Sequence, residues 1–280
     1  MSEGKELLDK GKIEEGKKNY LSHSRMNMYL RCAKQFEFRY MKGLIMRPSG
    51  AMILGGAWHQ ALEINYTQKK ESHQDIKVSE MKEVFSDRFD AKVKDEDVNF
   101  EDEKPSDIKE KGLEITEVHH REIAPKVQPV HVEMAFTIPL TEENDLHGYI
   151  DVIDDHEYIL ESKSAKRTPS DQDMTNDMQL TAYSMAYRHV FGKKEKGIRK
   201  DIAVKTKVPK TEMKFTERDE NSYDILLQIA HGVEAGIKTG AFAPNPNGWH
   251  CSPKYCGFWN LCMGKKKSAS SFAKIGTGAA

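Results

Sequence analysis

Hydrophobic and polar positions alternate between a helical period and a two-residue period along this chain. The switches predict an α/β order of elements. Residues 25–43 repeat Met28, Cys32, Phe36 and Tyr40 every four positions, with Tyr29 and Phe38 beside them. This predicts an amphipathic helix capped by Ser22 or Ser24, with Met28, Phe36 and Tyr40 as core positions. Pro48-Ser49-Gly50 reads as a loop, and a second helix is expected near Gly55, carrying His59. Residues 66–126 are polar, with apolar residues at helical spacing over Val78–Phe89 and Ile108–Ile123. An acidic connection, Asp95–Asp107 with Pro105, separates the two. The stretch predicts a helical insertion that either shapes a channel or only covers the core.

The period then shortens. Val127–Leu140 places Val130, Val132, Met134, Phe136 and Ile138 on one face of a strand. Glu133 has the opposite parity and reads as a surface residue more than as a further acid of a site. Tyr149–Ile153 and Tyr158–Lys163 predict two strands with a tight turn. Alternation puts Glu161 and Lys163 on one face. Asp151 shares that face only if it stands opposite Glu161. That register requires an odd loop, Asp155-His156-Glu157, rather than a two-residue turn. Asp171 or Asp173 is the expected cap of a helix reaching about Val190, with Gln179 and Tyr183 on one of its faces. Residues 193–210 hold eight lysines and arginines. They predict a basic loop and then an edge or near-edge strand, Asp201–Val208, whose basic side suits either DNA-backbone contact or a block to aggregation. Asp219–Thr239 predicts a long helix.

Composition narrows the class. The 280 residues carry a net charge of −1 with 31% charged side chains. Any nucleic-acid surface must therefore be local. No long apolar run or apolar leader segment occurs, so a cytoplasmic protein with no membrane partner is expected. Four cysteines in such a chain argue against a disulfide framework. The absence of GxxxxGK[ST] excludes a nucleotide-driven motor of that type. Residues 1–21 and 264–280 read as a flexible and a disordered tail.

Two clusters carry chemistry. Asp151 and Glu161 with Lys163 suit a hard divalent cation, whose charge and bound water serve phosphodiester hydrolysis. The plainer alternative is a solvated E-x-K on an exposed strand. Lys166 and Arg167 follow directly, either as phosphate contacts or as a charged loop. Cys32, Cys251, Cys256 and Cys262 suit a tetrahedral zinc or a cubane iron–sulfur cluster.

Gly55-x-x-x-His59, Gly148-Tyr-Ile-Asp151, Glu161-Ser-Lys163 and Gln179-x-x-x-Tyr183 occur in that order, followed by Cys256-x-Phe-x-x-x-Cys262. Over residues 22–263 the chain thereby resembles the PD-(D/E)xK nuclease superfamily. The likeness is to its RecB-like branch with a C-terminal iron–sulfur cluster, as in the AddB nuclease domain and the CRISPR-associated adaptation exonuclease. The resemblance implies a restriction-endonuclease-like α/β core, a mixed central β-sheet flanked by helices, in a single domain of residues 22–263. Residues 66–126 would be its helical insertion and 249–263 a cysteine-clamped, cluster-binding C-terminus.

It further implies that Asp151 and Glu161 bind Mg²⁺ or Mn²⁺ with His59 and the Ser162 carbonyl. Glu63, one turn from His59, would be a supporting carboxylate or a surface residue. Lys163 would position water or stabilise the transition state. Gln179 and Tyr183 would be catalytic residues that position DNA or the surroundings of the nucleophilic water, with Lys166 and Arg167 on the DNA backbone. Cys32, Cys251, Cys256 and Cys262 would hold a structural 4Fe–4S cluster, with zinc as the alternative. One departure is the four residues between Cys251 and Cys256, where the branch usually has two; His250 is an alternative ligand there.

The implied activity is a metal-dependent DNA exonuclease of repair, recombination or phage replication, in the host cytoplasm if phage-encoded. It would act on ends or single strands, beside a recombinase, annealing protein or helicase. A catalytically silent DNA-binding scaffold and an RNA-processing nuclease are the competing expectations.

Overall fold

A computed structural model describes residues 19–264. Its elements run β1 (Asn19–Leu21), α1 (His23–Arg31), α2 (Ala33–Phe36), α3 (Gly50–Ser72), α4 (Val78–Asp95), α5 (Pro105–Glu122), β2 (Pro129–Pro139), β3 (Asn144–Asp154), β4 (Tyr158–Ala165), α6 (Asp171–Thr175), α7 (Met178–Phe191), β5 (Gly197–Val204), β6 (Lys210–Thr216), α8 (Glu220–Lys238) and α9 (Trp259–Cys262). They form an α/β fold with a mixed β-sheet flanked by helices. The chain divides into two compact units. One holds residues 48–138 and 147–226; the other holds 139–146 and the described residues before 48 and after 226.

In the first unit β3 and β4 are antiparallel, β4 and β5 parallel, and β5 and β6 antiparallel, while β2 also pairs with β3. Val152 pairs with Leu160 and Ile153 with Ile159. Continuing that register sets Asp151 opposite Glu161 and leaves the odd connection Asp155-His156-Glu157. The turn closes because the Asp154 carboxylate accepts from the backbone N–H of His156 at 3.1 Å and of Tyr158 at 2.8 Å. Glu157 takes a left-handed φ of 65°.

The helical layer begins five residues earlier than expected, because Ser49 Oγ caps α3 by accepting from Met52 N. Trp58, Tyr66, Phe85, Phe89 and Ile115 form one buried core with Val152, Leu160 and Ala203 of the sheet. Residues 66–126 thus cover the core. Gly112 is required there, since a Cβ would lie 1.9 Å from Phe85 Cζ.

Two expectations downstream are corrected. The helix expected from Asp171 to Val190 is two helices, because two caps compete. Ser170 and Asp173 form a capping box for α6, and Asp177 Oδ1 accepts from Gln179 N at 2.9 Å to start α7. The basic strand expected over 201–208 is β5 at 197–204, near the edge as expected but buried along its whole length. Its charges are neutralised from within. Arg199 makes a two-pronged bond to Asp201, both prongs 2.9 Å, and Lys200 pairs with Asp177. The strand β6, absent from the sequence reading, covers β5, and Val208 between them is 78% exposed.

In the second unit the expected N-terminal tail stops short. Asn19–Leu21 form β1, parallel to Asn144–Leu146, while residues 1–18 and 265–280 of the two expected tails lie outside the described residues. The single helix expected over 25–43 breaks at Cys32, whose backbone is extended at φ −164°, ψ 102°. A short π-helical turn, Glu37–Met41, follows α2. Phe36 is buried as expected, but of the two methionines in α1 it is Met26 and not Met28 that is fully buried. Glu234 accepts from Thr141 Oγ1 at 2.6 Å and Asn144 Nδ2 at 3.0 Å. Among the described residues, no helix is long and apolar enough to cross a membrane.

Candidate active site

Helices α3 and α7 and strand β2 of the first unit converge on the β3–β4 pair. Helix α3 supplies His59, whose Nδ1 lies 3.7 Å from Asp151 Oδ2. Strand β4 supplies Glu161, Ser162 and Lys163. The Ser162 N–H donates to Asp151 Oδ2 at 3.1 Å, and Lys163 Nζ lies 2.5 Å from Glu161 Oε1. Helix α7 supplies Gln179 and Tyr183. Gln179 Nε2 donates to Glu161 Oε2 at 3.2 Å and to Tyr183 Oη at 2.7 Å, and Tyr183 donates to Asp151 Oδ1 at 3.4 Å.

Strand β2 supplies the residue that parity misplaced. Glu133 sits at φ +47°, a left-handed backbone inside the strand. This breaks the alternation from which a surface position was read, and Val130 of the expected inner face is 42% exposed. Donor atoms of His59, Glu133 and Asp151 all lie within 4.8 Å of one another. No periodic signal pointed to Glu133; only a strand-breaking backbone at a carboxylate does so.

Electrostatics separate the two opposed carboxylates. Burial, and then the negative charge of Glu161, push the Asp151 carboxyl well above the usual aspartate range. Burial pushes Glu161 the same way, but the charge and hydrogen bond of Lys163 outweigh it and hold Glu161 below the usual range. Burial works against the Lys163 ammonium, yet Glu161, Asp151 and Asp177 outweigh it and raise its pKa. Burial lowers His59, leaving a neutral imidazole fit to ligate. Tyr183, raised by burial and then by both carboxylates, stays protonated and donates.

A divalent cation fits this donor set. Three candidate donors converge, the imidazole is neutral, and Asp151 carries a charge that its surroundings disfavour. Lys200, buried on β5, pairs in register with Glu161 and reaches the Asp177 carboxylate that caps α7. It thereby fixes the start of the helix that carries Gln179. Lys166 and Arg167 are exposed just beyond β4.

The four free thiols belong to the second unit. Cys32, at the break between α1 and α2, lines one cavity with Cys251, Cys256 and Cys262. Burial and then the other three sulfurs raise the Cys262 thiol, as expected of four groups at close quarters. Gln35 Nε2 donates to Cys256 Sγ at 3.1 Å. His250, 5% exposed, lines the same cavity, and its Nε2 has no hydrogen-bond partner. Four soft donors around one cavity, beside an orphaned imidazole nitrogen, fit a metal or an iron–sulfur group.

A model of the PD-(D/E)XK nuclease superfamily matches residues 20–263. No curated protein matches the chain significantly. A crystal structure of a "putative exonuclease" from Eubacterium rectale is similar in fold, with a TM-score of 0.59 at 12% identity over 96% of this chain and 95% of that one.

Proposed function

This chain belongs to the PD-(D/E)XK nuclease superfamily, and we propose that it is a metal-dependent DNA exonuclease of repair, recombination or phage replication. The observation that carries the reading is the convergence of His59, Glu133 and Asp151 beside the Glu161–Lys163 pair. Exonuclease action is taken from the similarly folded protein named above, and DNA from the exposed Lys166 and Arg167.

In this reading His59, Glu133 and Asp151 hold Mg²⁺ or Mn²⁺, with Glu161 and the Ser162 carbonyl completing the site from β4. Such an ion, when bound, neutralises phosphodiester charge and acidifies a water ligand. Lys163 stays charged because Glu161 stabilises its ammonium, and so it can hold negative charge developing on the phosphorus-bound oxygens. Glu161, kept ionised by Lys163, anchors Gln179. Gln179 in turn holds the Tyr183 hydroxyl, which donates towards Asp151. These bonds fix both carboxylates before substrate arrives, and Gln179 and Tyr183 present one polar face to the strand being cut. Lys166 and Arg167 contact the backbone beyond the cut.

The cysteines have a structural role in this reading. Cys32, Cys251, Cys256 and Cys262 hold a 4Fe–4S cluster, favoured over zinc, that ties α1 and α2 to the C-terminal segment. Iron and acid-labile sulfide analysis of anaerobically purified protein, with its visible absorbance, tests this. Zinc without iron would overturn it.

The function is tested on a panel of end-labelled single-stranded DNA, duplex DNA and RNA, with Mg²⁺, Mn²⁺ or EDTA. Metal-dependent shortening of DNA from an end is the expected result. Cleavage of RNA alone would replace the reading with RNA processing. A folded, metal-supplied protein that leaves every DNA intact would leave a DNA-binding scaffold.

A further inference from the structure

The active-site residues leave the aromatic surface of the cysteine-bearing segment without a role. Trp249 is 76% exposed and Tyr255 is 53% exposed. Large rings are costly to leave in water, and where they stand together on a surface they mark a contact site. The two ring centroids lie 5.5 Å apart with their planes at 71°. Lys254 Nζ stands 5.8 Å from the Tyr255 ring centroid.

This pair is held in place rather than carried on a long loop. Cys251 N donates to Gly248 O at 2.8 Å and Cys256 N to Ser252 O at 2.9 Å, so each ring-bearing residue lies within a short closed turn. In the same segment His250, Cys256 and Phe258 are buried, and the His250 ring meets that of Trp249 edge-on. Gly248 permits this packing, since a Cβ there would lie 2.3 Å from His250 Cε1. The rings are therefore presented with little conformational entropy left to lose on binding.

Charge identifies the occupant. The chain contains 44 aspartates and glutamates, yet none occurs after Glu234. Among the described residues of that stretch Lys254 stands beside Tyr255, whereas Lys238 is paired with Glu143 and Glu234. An acid-free segment that sets Lys254 beside two exposed rings complements a polyanion that carries flat apolar faces. Duplex bases already stack on each other inside the helix, so only unpaired bases can lie against the rings.

We infer that Trp249 and Tyr255, with Lys254, form a binding site for single-stranded DNA, its bases on the rings and its phosphate backbone against Lys254. The identity of the polymer rests on the nuclease reading above.

The test uses the full chain carrying Lys163→Ala, so that DNA survives, with a fluorescein-labelled 20-nucleotide poly-dT and a blunt hairpin duplex as probes. Trp249→Ala is expected to weaken poly-dT binding about 10-fold, within the range for losing one base–aromatic stack. Duplex affinity should stay within about 2-fold. Trp249→Phe should keep most of the affinity, and Lys254→Ala should lower the salt dependence by about one ion. Emission quenching by poly-dT, present in the parent and lost in Trp249→Phe, reports the stacking directly, even if Trp249→Ala folds poorly.

Poly-dT binding unchanged in both Trp249→Ala and Tyr255→Ala would overturn the inference and leave the rings to a protein contact. The two readings fail separately. If the chain with Lys163 intact cleaves DNA while Trp249→Ala binds poly-dT normally, only this site is lost. A chain that cleaves nothing but binds poly-dT through Trp249 loses the nuclease reading and keeps the site.

Discussion

Asp151 and Glu161 stand opposite each other across β3 and β4, and their proton affinities are driven in opposite directions. Glu161 is stabilised as a carboxylate by Lys163, whereas Asp151 is left with a charge that burial and Glu161 both disfavour. The sheet thus holds one settled carboxylate and one that gains from a cation.

Asp151→Asn should abolish cleavage while stabilising the protein in EDTA. The raised pKa of Asp151 means that the folded state holds its proton more tightly than the unfolded chain. That contribution is full below the ordinary aspartate pKa and is lost as pH rises through the folded one. The advantage of Asp151→Asn should therefore grow with pH over that window, to about 1 kcal/mol or more. Thermal melts in EDTA at several pH values check this; equal melting temperatures at every pH would contradict it.

Glu133→Gln tests the carboxylate that alternation hid. Its loss should raise the Mn²⁺ concentration giving half-maximal activity about 10-fold, with a smaller fall in rate at saturating metal. Metal titration of initial rates measures both. An unchanged metal requirement would place Glu133 outside the site.

Lys200→Met removes the buried partner of Asp177. Breaking such a pair costs about 3 kcal/mol, and here it should also loosen the start of α7. The melting temperature should fall, and kcat should fall more than KM rises, because Gln179 loses its fixed approach to Glu161. Lys200→Arg should restore part of both. A lower melting temperature with unchanged kcat would confine Lys200 to a structural role.

Cys256→Ser should bleach the visible absorbance of the proposed cluster and lower the melting temperature sharply, since metal binding there is coupled to folding. Absorbance spectra and melts of the two proteins side by side test it. Full colour and an unchanged melt would remove Cys256 from the ligand set.

Much of this geometry was legible in the sequence where one physical rule acts alone. The odd loop Asp155-His156-Glu157 follows from alternation in two neighbouring strands, and the register bears it out. The helical spacing of residues 78–89 and 108–123 likewise marked real helices. Sequence reading failed where a second interaction overrode the first. Glu133 escaped because one left-handed residue shifts strand parity. The strand β5 was misplaced because its arginine and lysine looked solvated, although Asp201 and Asp177 neutralise them in the interior. The break at Cys32 was hidden by a four-residue repeat that continues on both sides of it.

The central claim is tested most directly by digestion of end-labelled DNA with Mg²⁺ or Mn²⁺, comparing the parent protein with Lys163→Ala. Lys163→Ala should fold and bind DNA but lose at least 100-fold in rate, as expected when a charge-stabilising group is removed. The parent should be silent in EDTA. Equal digestion by both proteins, or digestion that persists in EDTA, would contradict the account.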